Sequence, residues 1–311
     1  MSRRALGAGL ALVVSIATAA TAGEAPAPIR AVDDAGRTVV LARPARRVVT
    51  LAPALAELVH AAGGGPAMVA TVRPNDAPSE ARALPLVGDA LRFDVERLLA
   101  LHPDLVIAWQ HGNPERALAQ LEAAGITLYR LEPQRLDDVA VALERIGTLL
   151  GTAALAHERA VALRREIAAL REAHRGVLPV RVFYQVWNEP LMTLNGRHLV
   201  SDVLAACGGV NVFAALGPLV PQLSTESVLA AQPEVFLTAK DQARAAVERD
   251  AVDPAFARWQ RFADLVAVRR RWFYVLDGDL VTRPGPRIAR GVRAVCEALD
   301  EVRHERAAPL R

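Results

Sequence analysis

Phe93–Trp109, FDVERLLALHPDLVIAW, recurs loosely as Leu223–Ala239, LSTESVLAAQPEVFLTA, at a constant offset of 130 residues. The copies share Glu96/Glu226, Leu99/Leu229, Ala100/Ala230 and Pro103/Pro233, and Asp104/Glu234 and Leu105/Val235 are near matches. Each copy reads as a short helix, a breaker and a strand. Asp94 or Ser224 is placed to cap the helix by accepting a backbone N–H bond. Pro103 or Pro233 prevents the helix from continuing, since proline lacks the N–H and disfavours helical backbone before it. The apolar run that follows, about five residues long, has the character of a buried parallel strand. One such unit in each half predicts an α/β fold of two similar lobes. It also sets Glu96 and Glu226 at equivalent points, one per lobe.

The same grammar extends outward in both directions. Asp33–Leu41 reads as an edge hairpin around Ala35-Gly36. Arg47–Leu51 and Met68–Val72 read as strands, Leu55–Ala62 as a helix between them, and 73–78 as a loop. After the first repeat come a helix over Asn113–Ala124, stopped by Gly125, and a strand over Ile126–Tyr129. In the second half, Val180–Val186 is a strand and Leu199–Ala206 a helix with Gly208-Gly209 as its stop. A helix around Pro254–Leu265, a strand at Trp272–Leu276 and a closing helix at Pro286–Leu299 complete it. Strands alternating with helices across short loops predict a mainly parallel sheet with flanking helices in each lobe. Between the lobes, Leu136, Val139, Leu143, Ile146 and Leu150 recur at helical spacing, followed by Leu163, Ile167 and Leu170. Gly151 divides this stretch. Its second part, Ala153–His174, has neither Gly nor Pro and reads as a long rigid helix joining the lobes. The expected division is an N-terminal lobe over residues 23–135, connecting helices over 136–176 and a C-terminal lobe over 177–311.

Residues 1–22 read as an export signal. Arg3 and Arg4 form its basic start, Ala5–Ile16 its apolar centre and Ala20-Thr21-Ala22 its cleavage site. The apolar stretch is short for a membrane span, and no cysteine follows the cleavage site to carry a lipid anchor. The expectation is a monomer released into the periplasm. The chain carries 37 basic and 34 acidic residues, and losing Arg3 and Arg4 leaves the mature protein near +1. Such a balance gives no reason to expect nucleic acid or membrane as partner. Lys240 is the only lysine, and the preference for arginine fits codon bias better than phosphate recognition.

Catalytic signatures are missing from the sequence. It has no G-x-S-x-G elbow, no phosphate-cradling G-x-x-x-x-G-K and no mature G-x-G-x-x-G. The seven histidines are scattered without metal-ligand spacing and read mostly as exposed loop or helix residues. Cys207 and Cys296 are the only cysteines. In an oxidising compartment two cysteines read as a disulfide, with two buried free thiols as the alternative; metal binding lacks a nearby Cys or His partner. Neither an enzymatic activity nor a cofactor is expected. An exported two-lobed α/β protein points instead to solute capture, with the ligand held outside the carboxyl ends of the strands. The segments there are Ala52-Pro53-Ala54, Val72-Arg73-Pro74, Trp109-Gln110-His111, Trp187-Asn188-Glu189 and Asp277–Arg283.

These residues resemble the helical-backbone substrate-binding proteins of ABC importers for cobalamin, siderophores and haem. The pieces that carry the likeness are RVVTLAPA (47–54), VERLLALHPDLVIAW with the following GNPER, DVLAACGGVNVF and PQLSTESVL, with Pro286-Arg287 leading into the helix that holds Cys296. The resemblance covers about Arg47 to Leu299 and is strongest to the cobalamin-binding members. It implies cobalamin or a related corrinoid as transported ligand, and the strand ends offer Pro53, Ala54, Arg73, Trp109, Trp187, Asp279 and Arg283 to bind it. Trp109 matches a tryptophan of the family's cobalamin site, and a ring face suits a flat corrin. It further implies a Cys207–Cys296 disulfide, and docking of Glu96 and Glu226 onto arginines of a permease dimer served by an ATPase. Taken singly, each glutamate is also a common first-turn residue that complements the helix dipole.

The chain departs from the cobalamin members at three places. The loop 73–78 has no aromatic where they carry tyrosines, Val220 stands in place of a tryptophan, and Asp279-Leu280-Val281 replaces an aromatic-rich stretch. The nearest rival is a siderophore or haem carrier of the same fold, with Arg73 and Arg283 pairing anionic ligand groups. Haem asks for a Tyr or His ligand, and Tyr129, Tyr184 and Tyr274 all fall in strands. An exported enzyme using Asp277 and Asp279 is a further alternative, though these acids read more simply as a turn around Gly278.

Overall fold

The computed structural model describes residues 27–241 and 245–306; the leader read at 1–22 lies outside them. A hairpin comes first, β1 (Ile29–Val32) against β2 (Thr38–Leu41). Its turn is held by Asp33, whose carboxylate accepts from the N–H groups of Ala35 and Arg37. The first sheet comprises β3 (Val48–Thr50), β4 (Met68–Arg73), β5 (Leu86–Asp89), β6 (Leu105–Trp109) and β7 (Leu128–Leu131). Its order is β5-β4-β3-β6-β7, and all pairings are parallel. Helices α1 (Pro53–Ala61), α2 (Val95–Ala100) and α3 (Glu115–Ala123) connect its strands.

Then come α4 (Leu136–Leu150) and α5 (Ala153–Ala173), followed by the second sheet. Its strands are β8 (Val180–Gln185), β9 (Gly209–Asn211), β10 (Val235–Lys240), β11 (Val247–Arg249) and β12 (Phe273–Asp277). They lie in the order β11-β12-β10-β8-β9, parallel except for β11. Helices α6 (Leu199–Ala206), α7 (Thr225–Ala231), α8 (Val266–Arg270), α9 (Gly278–Val281) and α10 (Ile288–Arg306) flank it.

Neighbouring residues of a strand face opposite ways, so each sheet is divided between two cores. Val48, Ile107 and Tyr129 of the first sheet and Val182, Tyr184 and Leu237 of the second meet α4, α5 and α10 in one continuous core. The outer face of the first sheet packs aliphatically, Val49, Val72 and Val106 against Leu98 and Leu118. The outer face of the second packs aromatics: Phe183 and Phe236 meet edge-on, their centroids 5.2 Å apart, with Phe256, Trp259 and Phe273 around them. Because the main core runs through both lobes, they are joined by more than the single strut expected from Ala153–His174. Helices α4 and α5 form a hairpin turned at Gly151, whose φ of 72° suits glycine. Glu144 on one arm pairs with Arg164 on the other at 2.8 and 2.9 Å.

The repeat holds at atomic detail. Asp94 Oδ1 accepts from Arg97 N at 2.9 Å and Ser224 Oγ from Ser227 N at 3.2 Å, capping α2 and α7. After each helix one residue before the proline turns left-handed, His102 with φ 46° and Gln232 with φ 45°. Arginines then lash the helix ends to the sheets. Arg47 donates from Nη2 to Leu101 O at 2.6 Å, and Arg181 donates to the equivalent Ala231 O. In return Asp104 accepts from Arg47 N, and Glu234 from Arg181 N, both at 2.9 Å.

Several elements differ from expectation. The helix foreseen around Pro254–Leu265 is two single turns, Pro254–Phe256 and Trp259–Arg261, ahead of α8. Phe256 and Trp259 are drawn into the aromatic core, and Phe262 leaves helical backbone at φ −100°, ψ 75°. Gly208 does stop α6 (φ 70°), but Gly209 opens the edge strand β9. Strands β5 and β11 were not foreseen, being too short to show a period. Pro53 begins α1, after β3 has ended at Thr50. Rather than a turn, Gly278 opens the short helix α9, which Asp277 caps by accepting from Asp279 N at 2.9 Å.

Candidate ligand-binding cleft

The carboxyl ends of the two parallel sheets supply the segments expected to line the cleft. In the first lobe β6 ends at Trp109, 40% exposed. Its backbone is fixed by Asn113, whose Oδ1 accepts from Trp109 N at 2.6 Å and whose Nδ2 donates to Leu51 O and Ala90 O at 2.8 Å each. The indole lies against Gly112, where a Cβ would come within 1.9 Å of it. Glycine is therefore needed here for space. Pro53 is half-buried at the start of α1 and Ala54 is buried, leaving Ala54 little surface to offer a ligand. Arg73 ends β4, exposed. His111 is exposed, as expected of a loop histidine, and pairs with Glu132.

In the second lobe Trp187 follows β8 and is 63% exposed, its Nε1 donating to Glu189 O at 2.9 Å. Leu191 is buried and Met192 half-buried. Strands β8 and β10 open at their ends into a recess of about 300 Å³, where Val220 stands beside Val186 and Ala239. His198 also lines this recess and is half-buried, an exception to the mostly exposed histidines expected. Its position immediately before the predicted helix at Leu199 was the available signal, since that is where a capping side chain sits.

Arg283 corrects a second expectation. The rival siderophore or haem reading needs it as a cation free for an anionic ligand, but three carboxylates already hold it. Its guanidinium lies 2.9 Å from Asp76, 2.7 Å from Asp279 and 3.7 Å from Glu57. Arg287 makes a two-pronged contact with the same Glu57, 2.7 Å on each side. Glu57 and Asp76 belong to the first lobe and the arginines to the second, so this network bridges the lobes. Burial, reinforced by the neighbouring Asp76, raises the Asp279 carboxyl to about 6 against the pull of Arg283. Asp76 is also penalised by burial, yet Arg283 carries its pKa below the usual range. On the far side of the lobe junction, Asp202 of α6 accepts from Leu136 N and Arg135, both at 2.8 Å.

Glu96 and Glu226 both stand exposed in the first turns of α2 and α7. Backbone N–H groups and the Ser224 hydroxyl hold the Glu226 carboxyl below its usual range. Cys207 and Cys296 are joined by a disulfide, tying the end of α6 to α10.

Two lobes built on mainly parallel sheets and bridged by ion pairs make the architecture of a two-lobed solute-binding protein. The chain belongs to the periplasmic binding protein family, whose model matches residues 48–280. It is 35% identical over 263 residues to the vitamin B12-binding protein of Vibrio parahaemolyticus, covering 85% of this chain and 92% of that one. Among solved structures it matches the periplasmic vitamin B12-binding protein BtuF of Vibrio cholerae, with a TM-score of 0.74 and 34% identity over 84% of this chain and 98% of that one. The periplasmic haem-binding protein RhuT of Roseiflexus is similar at 27% identity and a TM-score of 0.71, over 83% and 98% of the two chains.

Proposed function

We propose that this protein captures cobalamin or a related corrinoid in the periplasm and delivers it to an ABC-type permease, without acting on it chemically. The observation that carries the reading is 35% identity to a vitamin B12-binding protein, sustained over 92% of that protein's length. The cleft supports it. Trp109 and Trp187 are both exposed, at the end of β6 and just past β8, and aromatic rings suit a flat macrocycle. Pro53 and Arg73 complete the first wall. Asp279 and Arg283 act chiefly through the bridge between lobes, presenting to the ligand only the edges that the bridge leaves open. Glu96 and Glu226 are the docking charges, one for each permease subunit, and steer the approach more than they add affinity.

Calorimetric titration of the mature protein with cyanocobalamin, cobinamide, haemin and a ferric hydroxamate decides the ligand. One-to-one submicromolar binding of a corrinoid, with quenching of tryptophan fluorescence, is the expected result. Tight haemin binding with no response to either corrinoid would refute the proposal.

A further inference from the structure

The recess at the ends of β8 and β10 contains polar groups that the fold leaves unused. His198 caps α6 through Nδ1, which accepts the Val200 backbone N–H at 3.2 Å. A ring nitrogen that accepts carries no proton, so the hydrogen of the neutral ring sits on Nε2. Burial pushes this imidazole down to about 4, which keeps it neutral at physiological pH. Tyr184 lines the same recess and is 2% exposed, yet among the described residues its hydroxyl has no hydrogen-bond partner. Asp241 adds a carboxylate.

The other polar side chains of the recess are engaged. Thr282 donates to Gly278 O at 2.8 Å. Gln185 donates to Ala255 O at 2.6 Å and accepts from Trp259 Nε1 at 2.7 Å. Lys240, beside Asp241 in sequence, turns to Asp253.

We infer that the recess is a subsite for a primary amide arm of the ligand. His198 Nε2–H and the Tyr184 hydroxyl donate to the amide carbonyl, and Asp241 accepts from the amide NH2. The inference rests on the corrinoid reading and deepens it. Corrinoids carry primary amides around the macrocycle, whereas haem carries propionates and many siderophores carry carboxylates. Among the described residues lining the recess there is no cation, so a carboxylate arm here would meet Asp241 and a neutral ring. Nor is the ring set to bind iron. Ligation through Nε2 would move the proton to Nδ1 and break the cap on α6.

The test is calorimetric titration of the full mature chain with cyanocobalamin and with its separated mono-carboxylates, each having one peripheral amide hydrolysed. Tyr184→Phe and His198→Ser should each weaken cyanocobalamin binding about five- to tenfold, the effect of one hydrogen bond. Melting temperatures should stay close to wild type, since serine retains the cap and phenylalanine the packing. At least one mono-carboxylate should bind the wild type about tenfold more weakly than cyanocobalamin, and Asp241→Asn, which removes the repelling charge, should reduce that preference. Variants within about twofold of wild type for cyanocobalamin, or mono-carboxylates that all bind as tightly as the parent, would overturn the subsite. Wild type that ignores cyanocobalamin but takes up haemin, with a Soret band abolished by His198→Ser, would overturn the corrinoid reading and make the ring an iron ligand. The wild-type titration alone separates that failure from a failure of the subsite.

Discussion

Trp109 owes its position to neighbours that a ligand need not touch. Asn113 fixes its backbone and Gly112 leaves room for the ring. Gly112→Ala should therefore mimic Trp109→Ala, each weakening corrinoid binding about ten- to thirtyfold, or roughly 1.4–2 kcal/mol. Fluorescence titration measures both, and a Gly112→Ala protein with wild-type affinity would show that the ring can be moved freely. His198 gives a prediction with a sign. Its folded pKa lies near 4 and its unfolded value near 6.5, so the unfolded chain takes the proton more readily. The stability attached to the neutral ring is complete above about pH 6.5 and is lost as the pH falls toward 4, at most about 3 kcal/mol. His198→Ser should thus flatten the acid side of the melting-temperature profile relative to wild type. Comparing the two proteins removes the opposite contribution of Asp279, whose raised pKa makes the folded state gain protons over part of the same range.

Among the elements, α6 and α10 are joined covalently. The Cys207–Cys296 bridge closes a separation of 89 residues, for which chain entropy gives about 4–5 kcal/mol. Protein isolated from the periplasm should show no free thiol when denatured, and reduction should lower its melting temperature. Two titratable thiols in such a preparation would contradict the bridge. How far the elements could be read in advance depended on length and on where their bonds close. Helix α2 and strand β6 were legible because Asp94, Pro103 and the run LVIAW each act locally, and the second copy repeated the pattern. Edge strands of three or four residues such as β9 and β11 show no period, and their existence depends on partners distant in sequence. The stretch 254–265 misled because its apolar spacing answers to the aromatic core rather than to a helix. The strand ends of the candidate cleft were legible, with Trp109 at the end of β6 and Trp187 just past β8. Its ionic bridge was not, because Glu57, Asp76 and Arg283 meet only when both lobes are in place.

Across the whole molecule, the continuous core and the Glu57–Arg287 contact tie the two lobes together. If Glu96 and Glu226 are the docking charges, reversing either to arginine should leave ligand affinity and melting temperature nearly unchanged. Transport should fall sharply, because opposed like charges across an interface can cost several kcal/mol. The double reversal should be worse than either single change, and wild-type uptake by it would reduce the glutamates to helix-end decoration. The arginine lashings at Arg47 and Arg181 add a further consequence. Each glutamate-bearing helix is tied to its own sheet, and the sheets are tied to each other, so the molecule presents its two charges like the points of a locked caliper. A permease that measures only that gap cannot tell a loaded carrier from an empty one. Empty protein should therefore occupy the permease and slow uptake in reconstituted vesicles as its excess over loaded protein grows. Uptake indifferent to a large excess of empty protein would mean that the gap changes when the cleft fills.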